Sequence, residues 1–377
     1  MKLLKFLFLA VFLSAALPFY AVCGDENVIN VLCYHRFKER KPSEMTNKGL
    51  GDIYSITPKR FEEHMQFLKD AGYKVIPMSE YLAIMEGKEE MPAKAVVISI
   101  DDGYKSIKDQ AYPILEKFKY PSVSYVYSVF LPGGKNSLKP EDAREMMSDG
   151  LMEFGSHSHT HPILTKRGKM TDKQYCDFLI LEIITSKRYL ERKLGVTMET
   201  MGYPYGAYSK EIFKVMEKAG FKAGLSVVPS YNTKDTYKYA LKRTMIYNST
   251  TVEKLKAILE KKPIKIKVVY PEDGDIITDA KPVLKAVLIE DAGLNTATIK
   301  FVMGRVKLDD SVYDPDTKTL TYTYDRPLPK GVHEPSITAS GTEGSNRGYA
   351  WLFVVGISIK EGVLEEALSK ITDTKEK

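Results

Sequence analysis

The sequence predicts an α/β fold, an open sheet or a barrel, followed by a small all-β sandwich. Two observations predict it. Between residues 29 and 219, short apolar strand-like runs alternate with helical patterns, as in parallel βα units. After about residue 262 the helical periodicity stops and strand-like runs separated by turn clusters replace it. The length of 377 residues favours two domains, and the 44% hydrophobic content permits a sizeable core.

An amino-terminal signal peptide is predicted over residues 1–24. Lys2 and Lys5 form a basic start, residues 6–19 are apolar, and small residues around Cys23 offer a cleavage site. No later stretch is long and apolar enough to span a bilayer. We therefore expect an exported protein that is periplasmic, attached to the cell envelope or secreted, with a lipid anchor on Cys23 as the alternative. The charge of +6 is spread along the chain, which argues against a nucleic-acid partner.

The α/β domain is predicted over residues 25–262. Its first helix begins after Thr57, a capping residue, with Pro58 in the first turn, and Gly72 ends it. The other elements expected in this domain are strands at 29–34, 74–76, 95–100, 122–130, 151–154 and 201–203, and helices at 79–85, 108–118, 140–149, 171–194 and 208–219.

The β-sandwich is predicted over residues 263–360, with a short helical, charged tail over 361–377. It resembles bacterial immunoglobulin-like modules, which favours a spacer or packing role over glycan binding. Trp351 is the only tryptophan, and its apolar neighbours predict that it belongs to the core. Cys33 and Cys176 lie in apolar patterns and are expected to be buried, unpaired thiols. The expected strands lie at 264–270, 282–289, 297–303, 319–324, 335–339 and 349–355.

Two aspartates stand side by side at the end of a predicted strand, in the sequence "SIDDGY". Asp101 and Asp102 repel each other there unless a cation compensates. The sequence "HSHTH" follows another strand and spaces His157 and His161 four residues apart. Two imidazoles and one carboxylate form a common site for zinc or a similar divalent ion. The alternatives are a surface turn for the aspartates and a solvated loop for the histidines. His159 is expected to face solvent or the substrate rim.

A third motif, "MGYPYGAYS" at 201–209, combines proline, glycine and tyrosines at a strand end. Such a turn can present a backbone N–H to an oxyanion, although an ordinary loop between a strand and a helix is the alternative. With these three motifs the chain resembles the polysaccharide deacetylases of carbohydrate esterase family four. The sequences "VLCYHRF" at 31–37 and "LKRTMI" at 241–246 resemble the extracellular branch that acts on poly-N-acetylglucosamine. The resemblance covers roughly residues 29–250 and implies a distorted (β/α)7 barrel.

The resemblance also implies roles for individual residues. Asp101 would be the general base, and the backbone N–H of Tyr205 would face the oxyanion. The ligands of a divalent metal, Zn2+ before Co2+, Ni2+ or Fe2+, would be Asp102, His157 and His161. Four further residues are assigned to substrate binding: Tyr104, Tyr203, Pro204 and Arg243.

Two departures from the family pattern concern the proton donor and an arginine. Gly202 stands where the family's third motif often has arginine. The histidine that usually serves as the acid in a late motif of the family is also missing, because His333, in the β domain, is the one histidine after the "HSHTH" motif. Either Asp101 or His35, at the end of the first strand, is then expected to deliver the proton, with a buried structural histidine as the alternative for His35. Arg243 is the candidate replacement for the missing arginine, and an ordinary surface arginine is the alternative.

The sequence thus predicts a metal-dependent hydrolase that removes N-acetyl groups from an envelope or extracellular polysaccharide, such as poly-N-acetylglucosamine, a chitin-like polymer or peptidoglycan. An O-acetyl esterase acting on a xylan-like glycan and a non-catalytic glycan-binding protein are the alternatives. A metalloprotease is excluded because the histidine motif lacks the glutamate. Since every motif precedes residue 210, the β domain is expected to have no partner among the motif residues and to be dispensable for the chemistry.

Overall fold

The structure is a computed structural model that describes residues 28–39, 53–131 and 133–371. The predicted signal peptide and Cys23 lie outside the described residues. No helix within these ranges is long and apolar enough to cross a membrane.

Within the described ranges, eight parallel strands form one curved sheet in the order β10-β1-β5-β6-β7-β8-β9, with β4 beside β5. The chain around residues 241–245 joins the two ends of this sheet, because Leu241 pairs with Leu225 and Thr244 pairs with Leu32. The arrangement fits the expected distorted (β/α) barrel. The strands are β1 (Ile29–Tyr34), β4 (Lys74–Val75), β5 (Ala95–Asp102), β6 (Ser122–Val126), β7 (Met152–Ser156), β8 (Thr200–Gly202), β9 (Ala223–Leu225) and β10 (Thr244–Met245). A separate pair joins β2 (Arg36–Phe37) to β3 (Ser55–Ile56).

Helices alternate with these strands as the sequence predicts. Thr57 accepts a hydrogen bond from the backbone of Arg60, and Phe61, Met65 and Leu68 bury one face of the first helix. The helix expected over 171–194 is continuous and includes a π-helical segment at Ile180–Thr185. The helices are α1 (Pro58–Asp70), α2 (Met78–Met85), α3 (Tyr112–Phe118), α4 (Pro140–Met147), α5 (Asp172–Leu179), α6 (Ser186–Leu194), α7 (Lys210–Lys218), α8 (Val252–Leu259) and α9 (Val363–Ser369).

The carboxyl-terminal residues form an all-β unit, in which two sheets bury their inner faces in one cluster. The sheets run in the orders β11-β21-β20-β15-β16 and β12-β14-β18-β17. Trp351 lies fully buried in this cluster, and its indole nitrogen donates to the carbonyl of Pro271, which confirms the prediction of a core residue. The strands are β11 (Lys262–Pro263), β12 (Ile266–Tyr270), β13 (Ile276–Ile277), β14 (Val283–Leu288), β15 (Leu294–Met303), β16 (Val306–Lys307), β17 (Val312–Asp314), β18 (Thr319–Thr323), β19 (Gly331–His333), β20 (Pro335–Gly341), β21 (Asn346–Ala350) and β22 (Phe353–Val355).

The β domain packs tightly on the barrel. Leu352, Leu364 and Leu368 belong to the same buried cluster as the barrel helices. Asp273 accepts hydrogen bonds from Tyr208 and, at 2.5 Å, from the ammonium of Lys242. Tyr208 is part of the third motif, so the expectation that the β domain has no partner among the motif residues is wrong. The motifs do not predict this contact, because Asp273 follows Tyr208 by 65 residues in the sequence.

Candidate active site and metal centre

The aspartate pair and the histidine motif meet at the carboxyl edge of the sheet. Asp102 pairs in register with Val126, and Val126 pairs with Ser156, so the ends of β5, β6 and β7 lie in one row. His157 follows directly and donates its backbone N–H to the carbonyl of Val126. Neighbouring parallel strands therefore bring together side chains that are about 55 residues apart in the sequence.

The backbone at this edge is unusual. Four of the seven described non-glycine residues with positive φ lie here, at Asp102 (76°), Ser158 (70°), His161 (62°) and Tyr205 (57°). Such conformations cost about 1–3 kcal/mol each and persist where the surrounding structure fixes them. Gly103 also has positive φ, and a Cβ there would lie 2.8 Å from Val126. The turn therefore needs glycine immediately after the aspartates.

Asp102, His157 and His161 point their ligand atoms at one another. Asp102 Oδ1 lies 3.6 Å from His157 Nε2 and 3.3 Å from His161 Nε2, and the two Nε2 atoms are 3.2 Å apart. His157 Nδ1 donates to the carbonyl of Gly202 at 2.6 Å, which leaves Nε2 unprotonated in the neutral ring. Burial lowers the pKa of His157 to about 4 despite the nearby carboxylates, so the ring is neutral.

These three side chains fit a divalent metal ion. Their ligand atoms all lie within 4.8 Å of one another. Neutral imidazoles and a carboxylate are ligands that zinc commonly uses, and the carbonyl behind His157 fixes its tautomer and orientation. A cation would also relieve the repulsion between the Asp102 oxygen and the lone pair of His157 Nε2.

Asp101 has a different environment from its neighbour. Its carboxylate is buried and receives two hydrogen bonds from Arg243, at 2.6 and 2.8 Å, while the thiol of Cys33 lies 3.4 Å from Oδ2. Burial disfavours its charged form, but the guanidinium of Arg243 outweighs that effect and holds the pKa of Asp101 below its usual range. The carboxylate of Asp101 is therefore ionised, and it does not need a metal ion to remain charged.

Arg243 takes the space that Gly202 leaves open. A Cβ on Gly202 would lie 3.2 Å from a guanidinium nitrogen of Arg243 and 3.0 Å from the ring of Tyr125. The glycine in the third motif and the arginine immediately before β10 are thus two parts of one arrangement. Arg243 has no accessible surface, so it lies behind Asp101 and cannot contact substrate, which corrects its assignment to substrate binding.

The other residues expected at the site lie around a cavity of about 1060 Å³. Tyr104 lines it, and Tyr205 is 61% exposed, with its ring 4.9 Å from that of His161. Tyr203 is fully buried and donates to the carbonyl of Tyr239, and Pro204 is buried beside it. Tyr203 borders the cavity although its hydroxyl is held in the core, so its assignment to substrate binding stays a prediction. Pro204 does not line the cavity, and its assignment to substrate binding is corrected.

His35 lies in the same cavity and faces the aspartates. One of its ring nitrogens, the thiol of Cys33 and a carboxylate oxygen of Asp101 lie within 4.8 Å of one another. The Nδ1 atom of His35 is buried and has no hydrogen-bond partner among the described residues. His159, by contrast, is half-buried, and its Nδ1 lies 2.6 Å from the hydroxyl of Ser128. Cys33 and Cys176 are buried, free thiols, as predicted.

The sequence analysis missed several residues that line the cavity. Tyr127 follows β6 and Tyr247 follows β10, so their positions just after strand ends could have identified them. The strand expected over 122–130 ends at Val126, and the turn after it brings Tyr127 to the cavity. Arg305 and Glu334, from the β domain, carry no comparable signal in the sequence.

Comparisons with known proteins identify one family that part of the chain resembles. Residues 88–224 match the family model described as polysaccharide deacetylase. The chain is 29% identical over 234 residues to a poly-beta-1,6-N-acetyl-D-glucosamine N-deacetylase from Staphylococcus aureus (strain MRSA252), covering 59% of this chain and 79% of that protein.

Two solved structures show the same fold. The deacetylase PplD of Streptococcus pyogenes, in complex with acetate, superposes with a TM-score of 0.55 at 24% identity, over 62% of this chain and 99% of that one. IcaB from Ammonifex degensii superposes with a TM-score of 0.52 at 21% identity, over 63% of this chain and 97% of that one. The matched segment contains the aspartate pair, both facing histidines and the third motif, and residues 88–224 are thereby identified as a polysaccharide deacetylase domain.

Proposed function

We propose that this chain removes N-acetyl groups from a polymer resembling poly-N-acetylglucosamine and that it depends on a divalent metal ion. The observation that carries the proposal is the unlike environment of two adjacent aspartates. Asp102 faces two imidazoles, whereas Asp101 is bound by Arg243. One carboxylate is thus arranged for a cation and the other for proton transfer. The named Staphylococcus relative supports the choice of polymer.

Asp102, His157 and His161 would hold the metal ion, with zinc the best match to this ligand set. A divalent cation there supplies Lewis acidity for the activation of water and of a carbonyl group. Asp101 accepts the proton from the attacking water as the oxygen bonds to the acetyl carbon. The C–N bond then breaks, the sugar amine takes up a proton and acetate leaves.

Two further groups complete the proposed reaction. His35 delivers the proton to the leaving amine, because its ring lies beside Asp101 in the same cavity. The backbone N–H of Tyr205 stabilises the oxyanion of the tetrahedral intermediate. Arg243 acts through Asp101: it keeps the carboxylate ionised and fixes its orientation by two parallel hydrogen bonds.

We also propose that the protein is exported, on the basis of the signal peptide predicted over residues 1–24. An envelope or extracellular location matches a polysaccharide substrate. Mass spectrometry of the mature amino terminus would distinguish cleavage from a lipid anchor on Cys23. An unprocessed amino terminus on protein recovered from the cytoplasm would contradict export.

The decisive experiment measures acetate release from poly-β-1,6-N-acetylglucosamine, chitin oligomers, peptidoglycan and acetylated xylan. We expect the highest rate on the first of these, and Asp101→Asn is the matched inactive control. Release from acetylated xylan alone would show an O-acetyl esterase instead. No release from any substrate by the metal-loaded protein would leave the glycan-binding alternative.

A further inference from the structure

One end of the β domain reaches the catalytic cavity. Strands β15 and β20 pair in antiparallel register, and Met303 opposite Pro335 is the last pair. Directly beyond it lie Glu334 and the turn containing Gly304 and Arg305. All three line the cavity that also contains the aspartate pair and the facing histidines. The catalytic cavity is therefore bounded by both domains, not by the barrel alone.

The cavity continues along this boundary. A second cavity of about 400 Å³ shares Tyr205, Gly304 and Glu334 with the first, and it extends to Ile163 and Val332. Tyr205 lies beside His161, so the proposed metal centre is near the point where the two cavities adjoin. We call the two cavities together the interdomain cleft. A cleft that extends past the reacting centre suits a chain of sugars better than a single sugar.

Two charged side chains in the interdomain cleft lack an ion-pair or hydrogen-bond partner among residues 28–39, 53–131 and 133–371. Arg305 is exposed and Glu334 is half-buried, and neither side chain forms an ion pair or hydrogen bond within the described residues. Lys242, the cation that acts on Glu334, is itself paired with Asp273. A partly buried carboxylate without a partner loses hydration, and a ligand with hydroxyl or amide groups can restore its hydrogen bonds.

Aromatic side chains provide the complementary apolar surface. Tyr54 and Tyr247 are 43% and 38% exposed, and their ring centres are 5.7 Å apart. Tyr54 also lies 5.3 Å from the ring of His35, so these rings lead from the catalytic group towards the β domain. A sugar ring packs its C–H face on an aromatic ring and leaves its hydroxyl groups free for hydrogen bonds at the edges.

We propose that the β domain forms one wall of the substrate cleft, in which Arg305 and Glu334 bind sugar units next to the one being deacetylated. The inference rests on the proposed function and extends it. It assigns the β domain a direct role in selecting polymers over short fragments. The sequence analysis favoured a spacer role because it expected Trp351, the only tryptophan, to belong to the core. The proposed contact with substrate uses the end of the sheet and not that aromatic residue.

The test compares β-1,6-linked N-acetylglucosamine oligomers of two to six units, using the full-length, metal-loaded protein. Arg305→Ala and Glu334→Gln should each raise KM for the hexamer about tenfold, as expected for loss of a hydrogen bond to a charged group. The effect on KM should exceed that on kcat and should shrink towards the dimer. Arg326→Ala is the matched control, because its side chain is 91% exposed in the same domain and lies outside both cavities.

A binding measurement separates this inference from the proposed function. Calorimetry with the hexamer is carried out in an Asp101→Asn background, with and without Arg305→Ala. Weaker binding with the second substitution supports the cleft wall even if no acetate is ever released. Unchanged hexamer affinity and unchanged KM in both cleft variants, with the fold verified by circular dichroism, would overturn the inference while leaving the deacetylase activity intact.

Discussion

Replacing Arg243 by methionine tests the central ion pair of the site. The substitution keeps an apolar stem of similar length but removes the charge that faces Asp101. Asp101 would then be a buried carboxylate without its counterion, next to the lone pair of a neutral histidine. We expect a large loss of stability together with a large loss of turnover.

The magnitude follows from the burial and the distances. Both side chains are buried, and the two hydrogen bonds measure 2.6 and 2.8 Å. Two unit charges about 4 Å apart attract each other by about 4 kcal/mol at an effective dielectric constant of about 20. Breaking a buried pair by removing one partner costs about 3–5 kcal/mol in measured systems. Arg243→Met should therefore lower the free energy of unfolding by about 3–5 kcal/mol near neutral pH.

The double variant Arg243→Met with Asp101→Asn is the control that makes the argument testable. It removes both charges, so it should recover much of the lost stability while remaining inactive. Urea unfolding followed by circular dichroism gives the free energies, and acetate release gives the activity. A single variant within about 1 kcal/mol of the wild type, or a double variant no more stable than the single one, would refute the assigned role of the pair.

Three further predictions concern the metal ligands, the pH dependence of stability and the β domain. Asp101→Asn should retain the metal ion and lose about 10²–10⁴-fold in turnover, whereas Asp102→Asn and His157→Ala should lose the metal ion. Metal analysis of the purified variants tests this prediction. Loss of the metal ion in Asp101→Asn with its retention in Asp102→Asn would exchange the roles of the two aspartates. His64 is buried between the hydroxyl of Tyr34 and the carbonyl of Thr250, and burial lowers its pKa from 6.5 to about 4. As the pH falls, this histidine is therefore protonated in the unfolded chain at a higher pH than in the native protein. The contribution of His64 to the free energy of unfolding is therefore complete above about pH 6.5 and falls by about 3 kcal/mol as the pH drops towards 4. In urea unfolding, His64→Gln should lose less stability than the wild type over this pH range. An equal loss in both proteins would contradict the assignment. A chain ending at Lys262 should be poorly soluble, because it loses Leu352 and helix α9 from the shared core and exposes apolar surface of α5 and α7. A soluble, monomeric fragment that unfolds cooperatively would show that the barrel does not need the β domain and α9 to cover this surface.

The alternation of strands and helices could be predicted from the sequence because its causes are local. Caps such as Thr57, apolar runs such as β5 and β6, and the change of pattern near residue 262 all act within a few residues of the chain. The aspartate pair and the histidine motif could also be identified from the sequence, since each is contiguous and each follows a strand. In a parallel sheet the ends of neighbouring strands share one edge, so two local motifs sufficed to predict one metal centre.

Only the tertiary structure decided which distant residues join the aspartate pair in the candidate site. Arg243 is 142 residues from Asp101 in the sequence, and nothing near either residue specifies that they meet. Their pairing depends on the joining of the two sheet ends by residues 241–245 and on the space left by Gly202. The burial of the Tyr203 side chain also depends on neighbours from other parts of the chain, and the motif sequence alone does not predict it.

The contribution of the β domain was likewise decided by the packing of the two domains. Arg305 and Glu334 are ordinary charged residues in a turn and beside a strand, as surface residues of any β-sandwich would be. They enter the cavity because the shared core and the contacts of Asp273 fix the end of one sheet against the barrel. Local sequence determines secondary structure and contiguous motifs, whereas the position of one domain on another depends on many weak contacts that no single segment encodes.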